Sequence, residues 1–205
     1  MDDDGNSSFK NKVIMLENDK KLFSYSDYLR WDSDKRVALI NGIVYELESP
    51  NRFHQDISGR LFLSFANFLQ NSPCKLYAAP FDVRLPYRKD KTKDEEVITV
   101  VQPDLCIICD PKKLDEKGCI GAPDLVIEII SPGNSKKEMK QKFDVYQESG
   151  VKEYWMVLSS EKSIIVYTLN DAGIYIGNKP YTEDDCIQST QFPGLSINLT
   201  AIFAE

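Results

Sequence analysis

Ala122-Pro123-Asp124-Leu125-Val126-Ile127-Glu128-Ile129-Ile130-Ser131-Pro132 is the stretch on which the reading of this chain turns. An unbroken Val/Ile/Leu run bounded by proline predicts a short strand buried on both faces. Glu128 stands in its middle, where a carboxylate is costly unless something pairs with it or coordinates it. Upstream, Val100-Val101-Gln102-Pro103-Asp104-Leu105-Cys106-Ile107-Ile108 is a similar run carrying Asp104. Two acids on two buried strands are the minimum equipment for a divalent-metal site.

Working outward, residues 135 to about 148 place Met139, Phe143 and Tyr146 at i, i+4 and i+7, which predicts a helix stopped by Ser149-Gly150. Residues 153–158 form the next apolar run. Strand, helix, strand predicts a crossover and therefore a parallel pair. Alternation puts Asp124, Val126, Glu128 and Ile130 on one face of the first strand. At 100° per residue, Lys142 lies about 60° from Met139 and about 40° from Tyr146. It borders the buried stripe, so its stem can follow the core edge and return the ammonium toward Glu128.

The remaining elements follow from local signals. Residues 24–31 predict a short helix with a Ser cap. Residues 37–47 predict a hairpin around Asn41-Gly42. Ile57, Leu61, Phe65, Phe68 and Leu69 predict an amphipathic helix from Phe53 to about Gln70. Strands are expected near 75–79, 81–85, 162–168, 173–176 and 196–203. The fold class is α/β (α+β), with helices flanking a mixed central sheet.

At 205 residues the chain is long enough for one domain with a real core and short for two. The acidic, polar start predicts a flexible segment over residues 1–20 and a single domain over 21–205. It is no signal peptide, and no apolar run approaches the roughly 18 residues of a membrane span. A cytoplasmic protein with no membrane partner is the expectation. Five scattered cysteines (Cys74, Cys106, Cys109, Cys119, Cys186) fit reduced thiols. Cys106-x-x-Cys109 would chelate poorly from one strand, and core filling is the preferred reading. A net charge of −7 argues against a basic whole-surface nucleic-acid binder and leaves room for a local basic cleft.

Taken in order, Gln102-Pro103-Asp104, Pro123-Asp124-Leu125-Val126-Ile127-Glu128-Ile129-Ile130-Ser131-Pro132, Lys142-x-x-x-Tyr146 and Gly150-Val151-x-Glu153-Tyr154-Trp155 resemble a large bacterial family. It is the Uma-type family, assigned as restriction endonucleases, long filed as a domain of unknown function and placed in the PD-(D/E)xK superfamily. The likeness extends to Gly42-x-x-x-Glu46 and His54, so it spans roughly residues 20–205. It implies a restriction-endonuclease-like core with one or two Mg²⁺ ions, replaceable by Mn²⁺, held by Asp104 and Glu128 with the Ile129 carbonyl. It implies Lys142 in place of the superfamily lysine, whose usual position is here Ile130. Glu46 and His54 match further polar positions bordering the site. The implied activity is phosphodiester hydrolysis, in DNA, by a homodimer.

Each residue type has a job in that reading. Hard oxygens hold Mg²⁺. Lys142 orients or deprotonates water, or stabilises the phosphate in the transition state. Glu46 binds a second metal, and His54 contacts phosphate or moves a proton. Other readings stand beside these. Glu128 and Lys142 could be a structural ion pair, which would leave Asp104 to find another partner. Asp124 suits a turn better than a metal. His54 could be a helix-start histidine and Glu46 a solvent-facing strand residue. Lys136, Lys137 and Lys140, with Arg84, Arg88, Lys89, Lys91 and Lys93, form either a phosphate-facing rim or solvated surface. The competing functions are a catalytically inactive nuclease-fold module binding nucleic acid or protein, and a hydrolase of another phosphate substrate.

Overall fold

The computed structural model describes residues 22–31, 35–88, 90–131 and 136–204, with only the backbone for 136–138. The segment expected to be flexible, residues 1–20, lies outside the described residues.

Helix α1 (Tyr25–Tyr28) starts at Ser24 in a reciprocal capping box with Asp27. Strands β1 (Val37–Ile40) and β2 (Ile43–Glu46) pair around Asn41 and Gly42, both at positive φ (51° and 77°), the geometry of a tight hairpin turn. Helix α2 (Arg52–Phe68) is capped by Asn51, whose side chain accepts from the His54 N–H at 2.8 Å. It buries Ile57, Leu61 and Phe65, so the helical periodicity read from the sequence faces the core.

Strands β3 (Lys75–Ala78), β4 (Val83–Arg84), β5 (Val100–Val101), β6 (Leu105–Ile108), β7 (Leu114–Asp115), β8 (Gly118–Ile120) and β9 (Leu125–Ile130) follow. Helix α3 (Lys136–Ser149) leads to β10 (Glu153–Leu158) and β11 (Ser163–Leu169). The tail holds β12 (Tyr175–Gly177), β13 (Tyr181–Thr182), β14 (Cys186–Gln188), β15 (Ser196–Asn198) and α4 (Leu199–Ile202).

The larger sheet runs β12-β11-β10-β9-β6-β3, with β13 also on β11. Within it β9 and β10 are parallel and α3 makes the crossover, as the sequence predicts. The smaller sheet runs β2-β1-β5-β4-β8-β7. Leu125, Ile127 and Ile129 of β9 face α2 and the C-terminal segment in one core, with Trp155, Ile197 and Phe203. Val126 faces the other way, into a core shared with Tyr146 of α3 and with Val83 and Val101 of the smaller sheet. The large sheet is thus covered on both faces, which is why its central strands carry no polar alternation.

Three expectations need correction. The run 100–108 is not one strand: β5 belongs to the smaller sheet and β6 to the larger, and Gln102-Pro103-Asp104 carries the chain between them. Proline at 103 has no N–H to donate to a ladder. Residues 199–202 are helix rather than strand, nucleated by Asn198, whose side chain accepts from the Thr200 N–H. Cys74 and Cys109 are not free thiols but a disulfide, because pairing of Lys75 with Ile108 sets them opposite each other at the end of β3–β6. Cys106 is core, and burial pushes its thiol far up; the buried Cys119 thiol is raised to about 12.

Candidate active site

Glu128 sits mid-strand in β9, 3% exposed, on the face covered by α3. Lys142 and Tyr146 are one helical turn apart on α3 and so reach the same spot. Lys142 Nζ donates to Glu128 Oε2 at 2.8 Å, and the Tyr146 hydroxyl donates to Oε1 at 2.5 Å. The geometry inferred from 100° per residue therefore holds.

Asp104 arrives from the connection between the two sheets. β6 begins at Leu105, opposite Ile127, so Ile129 lies two residues past the end of that pairing. Asp104 Oδ2 accepts the Ile129 N–H at 2.7 Å. The N–H and C=O of one strand residue point the same way, so the Ile129 carbonyl shares this edge. His54, in the first turn of α2, places Nε2 3.2 Å from the same Asp104 oxygen. Its Nδ1 is buried and has no hydrogen-bond partner among the described residues. His54 thus braces an acid, and Asp104 has partners without any metal.

Burial pushes the Glu128 carboxyl above the usual carboxylate range; the Lys142 ammonium opposes that, and the Asp104 charge adds to it. The Tyr146 hydroxyl is also pushed well up, first by burial and then by Glu128. Two carboxylates that repel one another beside one ammonium form a site that gains by taking a cation.

A cleft of about 150 Å³ opens here, lined by His54, Asp104, Glu128, Ile129 and Lys142. Glu46 does not line it. It lies at the surface 2.8 Å from Lys35, while Glu48, two residues on and past the end of β2, does line it. Asp124 is structural, as its turn position suggests: it accepts from the Cys109 N–H and from Lys152. Burial alone would raise its carboxyl, but those donors more than offset this and hold it low. Arg84 is buried against Asp115, Lys91 pairs with Glu96 and Arg88 with Asp90, so each of these three is matched by an acid, while Lys93 is exposed. Lys89 and the side chains of Lys136 and Lys137 lie outside the described residues, and Lys140 is exposed on α3.

Sequence reasoning placed Tyr146 in the core stripe and in the Lys142-x-x-x-Tyr146 motif but gave it no role at the site; its i+4 spacing from Lys142 was the signal for a shared target. It passed over Arg36 and quoted Gln102 only as part of a motif, with no role; both are in the cleft wall. Glu153 is wholly buried. It accepts from Trp155 Nε1 at 2.6 Å, from the N–H groups of Thr190 and Gln191 at 2.8 and 3.0 Å, and from the Thr190 hydroxyl, tying the tail to β10.

Among the described residues no three His, Cys, Asp or Glu side chains cluster as a metal cage. Mg²⁺ needs none, since it binds through one or two carboxylates and keeps several waters. Two carboxylates and a strand carbonyl on one polar cleft fit that requirement.

Comparison with known proteins agrees with this architecture. An uncharacterized protein of Synechocystis sp. is 26% identical over 156 residues, covering 75% of this chain and 77% of that protein. A crystal structure from Anabaena variabilis, titled as a putative nuclease belonging to DUF820, superposes with a TM-score of 0.69 at 15% identity. The match covers 89% of this chain and 98% of that one, so the two share a fold. The family model described as Uma2, "Putative restriction endonuclease", matches residues 25–200, from the first helix into the last. This chain belongs to the Uma2 family.

Proposed function

We propose that the protein is a Mg²⁺-dependent endonuclease hydrolysing phosphodiester bonds, with DNA as its substrate. The observation that carries this reading is the convergence of Asp104, Glu128, Lys142 and the Ile129 main chain on one cleft. Asp104, Glu128 and the Ile129 carbonyl would hold the dication, with Mn²⁺ able to substitute. When bound, such an ion supplies a water of lowered pKa and offsets charge on the scissile phosphate.

The chain's own residues do the rest. Tyr146 and Lys142 each hold one Glu128 oxygen, so the carboxylate keeps a single orientation. Lys142 also sets a positive charge beside the position where phosphate would accumulate negative charge. His54 and the Ile129 N–H share Asp104 Oδ2, which fixes the orientation of that carboxylate. Cutting both strands of a duplex suits a homodimer. Among the described residues no helix is long and apolar enough to cross a membrane, and a cytoplasmic setting goes with this reading.

A second reading is a catalytically inactive nuclease-fold module that binds nucleic acid or protein. One observation favours it: both Glu128 oxygens and one Asp104 oxygen already have donors, so these carboxylates are held without a metal.

The test is cleavage of supercoiled plasmid and of single-stranded DNA by wild type, Glu128→Ala and Asp104→Asn, with Mg²⁺, Mn²⁺ or chelator. Metal-dependent nicking that both variants lose supports the nuclease. No cutting by wild type, together with an unfolding temperature that Mg²⁺ leaves unmoved, favours the silent module.

A further inference from the structure

Arg36 immediately precedes β1, and its carbonyl accepts from the Leu47 N–H across the mouth of the hairpin. It lines the same cleft as Asp104 and Glu128. Its side chain is exposed, yet it is not loose. Nε and Nη2 both donate to Gln102 Oε1, each at 3.2 Å. Among the described residues the guanidinium forms no ion pair, whereas Lys142 in the same cleft is matched by Glu128.

Gln102 is held in turn. Its amide nitrogen donates to Asp82 Oδ1 at 2.9 Å and to the Tyr28 oxygen at 3.1 Å. The Tyr28 and Tyr25 hydroxyls donate to Asp82 at 3.2 and 2.9 Å. With its NH₂ spent on these acceptors, the Gln102 amide has one orientation, and Oε1 must face Arg36. Gln102 also lies two residues before Asp104 in one turn, so the turn that delivers the acid also sets the arginine.

A guanidinium carries five N–H donors. Gln102 takes one edge, through Nε and Nη2. The remaining edge, with the Nη1 donors and the second Nη2 donor, is the fork that binds a phosphate through two oxygens. Gln102 is neutral, so it orients the charge without cancelling it. A carboxylate at 102 would do the first and undo the second.

We propose that Arg36 is a phosphate-binding residue of the cleft, gripping a backbone phosphate of the nucleic-acid strand, with Gln102 as its positioning residue. This rests on the nuclease-site reading above. It also accounts for how a chain of net charge −7 could hold a polyanion: a fixed cation stands in the wall of the acidic cleft.

The experiment is fluorescence-anisotropy binding of short single-stranded and duplex DNA, with Ca²⁺ in place of Mg²⁺ to suppress cutting, across a salt series. The proteins are wild type, Arg36→Met, Arg36→Lys, Gln102→Met and the double variant Arg36→Met/Gln102→Met. The expected result is roughly tenfold or greater loss of affinity for Arg36→Met, because a charge-assisted pair of bonds is lost. The slope of log K against log[salt] should flatten by about 0.9 on duplex and about 0.7 on single strands. Arg36→Lys should keep the slope and lose affinity, since it keeps the charge and loses the fork. Gln102→Met should weaken binding with the slope intact, and the double variant should bind no worse than Arg36→Met. Thermal stabilisation by Mg²⁺ should be the same in all. Wild-type binding matched by every variant overturns the role of Arg36 and leaves the nuclease reading standing. Failure of wild type to bind either DNA at any salt overturns both.

Discussion

Replacing Lys142 by Met removes the ammonium from Glu128 while keeping most of the buried stem, and the cost should depend steeply on pH. The side chains of Glu128 and Lys142 are only 4% and 11% exposed, so the carboxylate left behind is poorly hydrated. Losing one partner of a buried pair costs roughly 3–5 kcal/mol when the remaining charge persists. That cost has a ceiling, because the carboxylate can take up a proton instead. One pKa unit is worth about 1.36 kcal/mol, so protonating a carboxyl of ordinary value 4.5 costs about 3 kcal/mol at pH 7 and about 1 kcal/mol at pH 5.5. The sign follows from linkage. Burial and the Asp104 charge already raise the folded-state Glu128 above its unfolded value, and loss of Lys142 raises it further. A raised acid binds its proton more tightly when folded, so stability returns as pH falls through the folded value and levels off below 4.5. Urea unfolding followed by tryptophan fluorescence, with chelator present, should show a deficit of about 3 kcal/mol at pH 7 that shrinks toward 1 kcal/mol at pH 5.5. A deficit independent of pH, or none, would refute the claim that the Lys142 ammonium stabilises the Glu128 carboxylate.

Three further predictions concern the frame around the site. Glu153→Gln sets an amide donor against the donors of Trp155, Thr190 and Gln191; it should cost about 2–3 kcal/mol in urea unfolding and expose the tail to protease. Gly118→Ala should cost more than about 2 kcal/mol, because a Cβ at φ +128° would sit 2.3 Å from the Asp82 carbonyl oxygen, whereas Gly59→Ala in α2 meets nothing and should gain about 0.5–1 kcal/mol. Asp124→Asn keeps an acceptor for Cys109 and loses the half-exposed Lys152 pair, so the loss at pH 7 should be about 1 kcal/mol. Because the Asp124 carboxyl is held low when folded, that stabilisation is present above 3.8 and lost as pH falls further, so calorimetric scans of wild type and variant should converge in acid.

Local physics was legible in the chain. Asn41-Gly42 demanded a positive-φ turn, and the periodicity of Ile57, Leu61 and Phe65 set the buried face of α2. Alternation along β9 and rotation along α3 were enough to aim Lys142 at Glu128, because both are fixed by backbone geometry within one strand–helix–strand unit. Contacts between distant segments were not legible. Pro103 marks a break in the run 100–108, but it does not say that the two halves join different sheets, because neither a breaker nor a periodicity reports which ladder a strand enters. Glu46 and Glu48 are both acids at the end of the hairpin, and only the folded structure shows that the first pairs with Lys35 and the second lines the cavity. The Cys74–Cys109 bond needed the β3–β6 register, and the His54 brace on Asp104 needed α2 docked beside the sheet crossing. The sequence by itself determined the strand–helix–strand unit around Glu128, the first hairpin, the buried faces of the two long helices and the acid–lysine pair, which depend on forces within a few turns of chain. Tertiary packing decided which residues complete the cleft, Arg36 and Gln102 among them, because their meeting depends on loop closures and sheet pairings that no local pattern encodes.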